Sequence, residues 1–182
     1  MKRSFFVGLI LLTVCSWVKA QMTVEDYYHL ISSDYFLCDQ TLMEDSKVGR
    51  RNLLRISDKA NNYIEAELSL ATLYVTIYRD KEVKKDIVFV YANCGPGCEC
   101  NFLELRYYYE DGEWESAADK FPFDQIEEYI DQLSTQLGYN VYYDLRIPQK
   151  RNVNIEAYEH ASDHKLFDLV WDGKRFNMIL AE

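Results

Sequence analysis

The chain has 182 residues, a formal net charge of -10, and a composition that is 48% hydrophobic and 15% aromatic. This excludes a disordered chain and points to a globular protein rich in β-structure. The acidic balance excludes a nucleic-acid binder, because such a field repels phosphates and anionic lipid and favours encounter with a cationic partner.

Lys2 and Arg3, the apolar run from Phe5 to Val14, and Val18-Lys19-Ala20 before Gln21 follow the charged, apolar, small-residue order of a secretory signal peptide. Residues 1–20 are therefore expected to be a leader cleaved after Ala20. A lipoprotein anchor at Cys15 is the lesser alternative, since the residue before a lipidated cysteine should be small and Val14 is not. No later apolar run reaches the roughly 20 residues that cross a bilayer. The expected location is periplasmic or secreted, with no membrane insertion after cleavage. Losing Lys2, Arg3 and Lys19 and no acid makes the mature chain more acidic still.

Residues 21–120 read as a first half. From Thr23 to Leu37, Val24, Tyr27, Tyr28, Ile31 and Tyr35 recur at helical spacing behind a Thr23 cap. Residues 39–60 are polar and basic in the middle, a connecting stretch in which Asn52–Ile56 starts a strand. Two half-buried strands follow, with Ile64, Ala66 and Leu68 and then Leu73, Val75 and Ile77 alternating against polar or tyrosine neighbours. The charged turn Arg79–Lys85 leads into Ile87–Ala92, which is apolar on both faces and reads as a central strand covered on each side. Leu103–Tyr109 alternates, and Asp111-Gly112 turns it back into Glu113-Trp114-Glu115 as a hairpin.

Residues 121–182 read as a second half. Phe123, Ile126, Tyr129, Ile130, Leu133 and Leu137 before Gly138 predict a helix. Strands are expected near 140–147, 152–160, 165–171 and 174–180, the last two joined by Asp172-Gly173. Both halves run helix, then Tyr63-Ile-Glu-Ala-Glu67 or Asn154-Ile-Glu-Ala-Tyr158, then a strand with an aromatic and a charged turn. That order points to an internal duplication. The expected class is α+β, two helix-plus-antiparallel-sheet halves stapled by disulfides, forming either two units or one compact domain.

Four cysteines follow the leader, and an even number in an exported chain favours disulfides. A Cys98–Cys100 bond would need a strained small ring. The preferred set joins Cys94 to Cys98 and Cys38 to Cys100, with Cys38 to Cys98 left open. The long-range bridge would contribute about 2–4 kcal/mol. A thiol-disulfide oxidoreductase is the enzymatic alternative, because a strand delivering Cys94-Gly-Pro superficially resembles the thioredoxin motif. Gly97 lengthens that spacing, and the strand-like Asn101–Tyr109 offers no helix N-terminus to lower a thiol pKa. Cys94, Cys98 and Cys100 could also take a soft metal, but the histidines His160 and His164 sit on an expected hairpin instead of a helix.

Among the 15 tyrosines, Tyr63, Tyr74, Tyr78 and Tyr108 could form an exposed aromatic face that stacks on sugars or receives a protein, or could be covered by the other half. With no Gly-rich phosphate loop, nucleophile elbow or basic stripe, the expectation leans away from an enzyme. No catalytic residue, metal or cofactor is assigned. Asn62-Tyr-Ile-Glu65, Cys94-Gly-Pro-Gly-Cys98, Tyr109-Glu-Asp-Gly-Glu-Trp114 and Phe121-Pro122 together resemble a loose group of exported bacterial β-rich proteins. Those proteins carry a Cys-Gly-Pro-x-Cys loop and a Gly-x-Trp hairpin. The resemblance spans about residues 60–122 and implies no activity. The expected function is that of a non-enzymatic binding or interaction module for a basic protein or a glycan.

Overall fold

The computed structural model describes residues 21–31, 47–68, 71–94, 102–109, 111–150, 154–160 and 162–181. Helix α1 (Val24–Leu30) starts where the Thr23 hydroxyl accepts from the Asp26 amide while the Asp26 carboxylate accepts from the Thr23 amide at 2.7 Å. This reciprocal cap satisfies two donors that a helix start otherwise leaves open. The C-terminal end of α1 is closed by Arg50, whose Nη1 donates to the carbonyls of Tyr28 at 3.0 Å and Ile31 at 2.5 Å. Arg50 rides on α2 (Lys47–Asn52), a short helix within the stretch read as a connection.

Among the described residues ten strands follow the pattern of alternation: β1 (Leu54–Asp58), β2 (Tyr63–Glu67), β3 (Thr72–Asp80), β4 (Lys85–Asn93), β5 (Phe102–Tyr108), β6 (Trp114–Ser116), β7 (Tyr143–Arg146), β8 (Ile155–Glu159), β9 (Lys165–Trp171) and β10 (Phe176–Leu180). The first six form one antiparallel sheet in chain order, and the last four form a second in the order β10-β9-β8-β7. Helix α3 (Phe123–Leu137) lies between them in sequence and stops at Gly138, whose φ of 77° suits a residue without a Cβ.

The large sheet is buried on both faces. On β4, Ile87, Phe89 and Tyr91 face the small sheet and α3, while Val88, Val90 and Ala92 face α1. Residues of both sheets and of α3 share the first core, in which Phe89 touches Phe121 and Phe176 with ring centroids 6.2 and 6.0 Å apart. The second core lies on the opposite face of the large sheet, where Val24, Tyr27, Tyr28 and Ile31 cover Ile64, Leu73 and Val75.

The expected α+β architecture of two duplicated helix-plus-sheet halves is not what the chain adopts. It is mostly β, with six strands against four and three short helices among the described residues. The helices also cover different places: α1 packs on the outer face of its sheet, whereas α3 contributes to the core between the sheets. The similarity of the halves reflects the period of two that any half-buried antiparallel strand carries. Of the expected disulfide staple only one end falls among the described residues. No cysteine pair falls among the described residues; Cys94, itself disulfide-bonded, closes β4, and Cys38, Cys98 and Cys100 lie outside them.

Candidate functional site

Two hairpin turns, one from each sheet, are made rigid by an aspartate and then docked on each other. In the β3–β4 turn the fully buried Asp80 accepts from the amides of Glu82 at 2.8 Å and Val83 at 3.2 Å, and from the Tyr107 hydroxyl at 2.6 Å. In the β9–β10 turn Asp172 accepts from the amides of Lys174 at 2.8 Å and Arg175 at 3.0 Å and from the Asn177 side chain at 2.9 Å. Both are side-chain mimics of a backbone turn. The turns meet where the Lys81 amide donates to the Gly173 carbonyl at 2.8 Å and the Trp171 indole N–H donates to the Arg79 carbonyl at 3.3 Å. A Lys174–Glu82 ion pair closes the outside of the joint.

Beside this joint a cleft of about 360 Å³ opens between the sheets. Tyr78, Trp171 and Leu169 form its apolar part, and Asn61, Asn62 and Asn154 also line it, the Asn61 side-chain amide donating to Asp58 at 2.8 Å. The charged groups at its wall are Arg79, Lys81, Lys150 and Asp172. Asn62 holds a left-handed φ of 56° at the tip of the β1–β2 turn, and Gln149 ties the turn carrying Lys150 to that tip by donating to Asp58 at 3.1 Å. The Trp171 ring is fixed by its indole hydrogen bond and by Tyr78 and Phe176, with centroids at 5.6 and 5.1 Å. Burial pushes the Tyr78 phenol well above its ordinary range, so it remains a neutral, apolar wall. An aromatic ring held in place beside amide donors can bind a flat, hydroxylated ligand without first ordering its own side chains.

A second, more open groove of about 450 Å³ runs between Ala118–Gln125 and the edge strand β10, lined by Phe121, Phe123, Lys120 and Arg175. At the other end of the small sheet, His160 Nδ1 meets Asp144 at 2.5 Å, and the other Asp144 oxygen accepts from Asn93 at 3.3 Å. Those carboxylate contacts orient the imidazole. Among the described residues no group of three metal-ligating side chains accompanies it.

The four tyrosines singled out in the sequence are not brought onto one surface. Tyr63 is buried in the first core, and Tyr74, half-buried against it, stacks on Tyr91 at 6.0 Å. Tyr78 alone reaches the cleft. Tyr108 lies on the opposite face of the large sheet, against Tyr27 and Trp114 at 6.0 and 5.0 Å. Of the cysteines proposed for thiol or metal chemistry, Cys98 and Cys100 fall outside the described residues. Trp171, Asn154, Lys81 and Lys150 were missed as site residues. Their only sequence signal was position within predicted turns and strand ends, which does not reveal that turns from different sheets converge.

No protein-family model matches the chain, and no curated protein matches it. Among solved structures it is similar to a domain of an uncharacterized protein from Porphyromonas gingivalis W83, with a TM-score of 0.54 and 10% identity over 87% of this chain and 98% of that one. At that identity the likeness concerns the fold alone. Among the described residues no helix is long and apolar enough to cross a membrane.

Proposed function

We propose that the protein is an exported, non-enzymatic binding module that recognises a glycan in the cleft between its two sheets. The observation that carries this reading is the Trp171 ring, partly exposed in the cleft and locked by its bond to the Arg79 carbonyl. Asn62 and Asn154 line the same cleft, and an asparagine amide can both donate to and accept from hydroxyl groups. The cleft volume suits one to a few sugar rings, being at the lower end of small-molecule sites. A glycan array probed with the full secreted chain tests the reading. Binding that Trp171→Ala lowers by roughly tenfold or more supports it, because one stacking contact of that kind is worth about 1.4 kcal/mol. A folded wild-type protein that binds no glycan on the array removes it.

A basic protein is the second candidate partner, supported by the solvent face of α3, where Asp124, Glu127, Glu128 and Asp131 are all exposed. Association through that face would weaken with salt and be insensitive to Trp171→Ala.

A further inference from the structure

We infer that the glycan bound in the cleft is an acidic one, its anionic group received by the ammonium groups of Lys81 and Lys150. This rests on the glycan-binding reading and narrows it. Of the four charged side chains at the cleft among the described residues, two are already committed within the protein. Arg79 donates to the buried carboxylate of Asp86 at 3.1 Å. Asp172 is turned into its own hairpin, where the Arg175 amide, the Asn177 side chain and the Lys174 amide hold its carboxyl down at about 2. It therefore stays ionised, with those donors already engaging its oxygens.

Lys81 and Lys150 differ from both. Neither makes an ion pair or side-chain hydrogen bond among the described residues, and both line the cleft. The stem of Lys81 is laid over Gly173 so closely that a Cβ there would stand 2.8 Å from Nζ. The lysine is thereby held at the joint beside Trp171. Among the described residues, two cations without an ion-pair partner share this concavity in a chain whose net charge is -10. Opposite charge in a walled cleft raises the local concentration of an anionic ligand and fixes its register on the aromatic ring. A pyranose bearing a carboxylate or a sulfate ester supplies the matching chemistry: one apolar ring face for Trp171, hydroxyls for Asn62 and Asn154, and one negative group for the lysines.

The test uses two pairs of probes that differ in charge: galacturonate hexamer against its methyl ester, and sulfated maltohexaose against maltohexaose. Titration calorimetry with the full secreted chain should show the charged member of at least one pair binding about tenfold or more tighter than its neutral partner. Raising salt from 50 to 500 mM should shrink the preference. Which pair responds distinguishes carboxylate from sulfate. The double variant Lys81→Ala/Lys150→Ala, at exposed positions and checked for an unchanged melting transition, should erase the preference and leave the weaker neutral binding. Equal binding of charged and neutral members overturns the inference while leaving glycan binding intact, as does a charge preference that survives in the double variant. Absence of binding to these probes and to every glycan on the array overturns both.

Discussion

The Lys81 amide donates to the Gly173 carbonyl at 2.8 Å, and this single backbone bond ties a turn of the large sheet to a turn of the small one. Gly173 has a φ of 102°, a conformation that side chains with a Cβ rarely adopt, and an added Cβ would stand 2.7 Å from Lys81 Cδ. Gly173→Ala is therefore expected to lower stability by about 1–3 kcal/mol through backbone strain. Because the Lys81 stem must also move, the charge preference of the cleft should weaken along with it. Urea unfolding and ligand titration check the two effects. A variant as stable as the parent would mean that the joint contributes nothing.

Phe89 is fully buried and touches Tyr78 of its own sheet, Phe121 before α3 and Phe176 of the small sheet. The two sheets should consequently unfold as one unit, and Phe89→Ala should cost about 3–5 kcal/mol for the whole protein. Trp114 reports on the large sheet and Trp171 on the small one. Single-tryptophan versions of the chain, each followed by fluorescence, are expected to give coincident urea midpoints that Phe89→Ala shifts together. Two separated midpoints would show that the sheets are independent domains.

Much of the strand content was legible because burial on an antiparallel sheet imprints a period of two, and β4 announced itself as central by being apolar on both faces. The Asp111-Gly112 and Asp172-Gly173 turns were equally readable, since both glycines take positive φ. The layering was not. Nothing local distinguishes a helix that covers the outer face of a sheet, as α1 does, from one that joins the core between two sheets, as α3 does. The same blindness hid the cleft, because Trp171 and Arg79 are far apart in sequence and meet only when the sheets pack. It also put Tyr108 on an imagined common face with Tyr63, Tyr74 and Tyr78, because the register between strands, which fixes the face each one takes, is not written in the alternation of any single strand.

Arg50 and Tyr28 are bound in both directions: the guanidinium donates to the Tyr28 carbonyl, and the Tyr28 hydroxyl donates to the Arg50 carbonyl at 3.0 Å. A buried charged donor bonded to the end of α1 also complements the negative end of the helix dipole. Arg50→Met removes charge-assisted bonds to the carbonyls of both Tyr28 and Ile31 and is expected to destabilise by roughly 2–4 kcal/mol. Arg50→Lys should recover only part of this, because the lysine keeps the charge but its shorter side chain and compact ammonium do not reproduce the position from which Nη1 meets both carbonyls. Chemical denaturation of the three proteins measures it. Equal stability of the methionine variant and the parent would show that α1 needs no such cap.

Asp80 gives the protein an acid-sensitive turn. Its burial pushes the carboxyl up, but the Tyr107 hydroxyl, the amides of Val83 and Glu82 and the charge of Lys120 outweigh it, and the pKa settles below its ordinary range. A folded-state pKa below the unfolded one means that the unfolded chain binds more protons in that window, so stability falls as pH falls. The contribution should be complete above the ordinary aspartate range of about 4 and lost on acidification through the depressed folded value. Other carboxylates with lowered pKa values, among them Asp26, Asp58 and Asp172, slope the same way. The share of Asp80 is therefore read as a difference between proteins. Asp80→Asn should be less stable than the parent at pH 7, and the gap should narrow as pH drops from 5 to 2. Tyr107→Phe, which keeps the carboxylate but removes its shortest hydrogen bond, should move the acid limb of the parent to higher pH. Urea unfolding across this range decides the matter: a parent and an asparagine variant separated by the same margin at every pH would show that Asp80 does not titrate with unfolding.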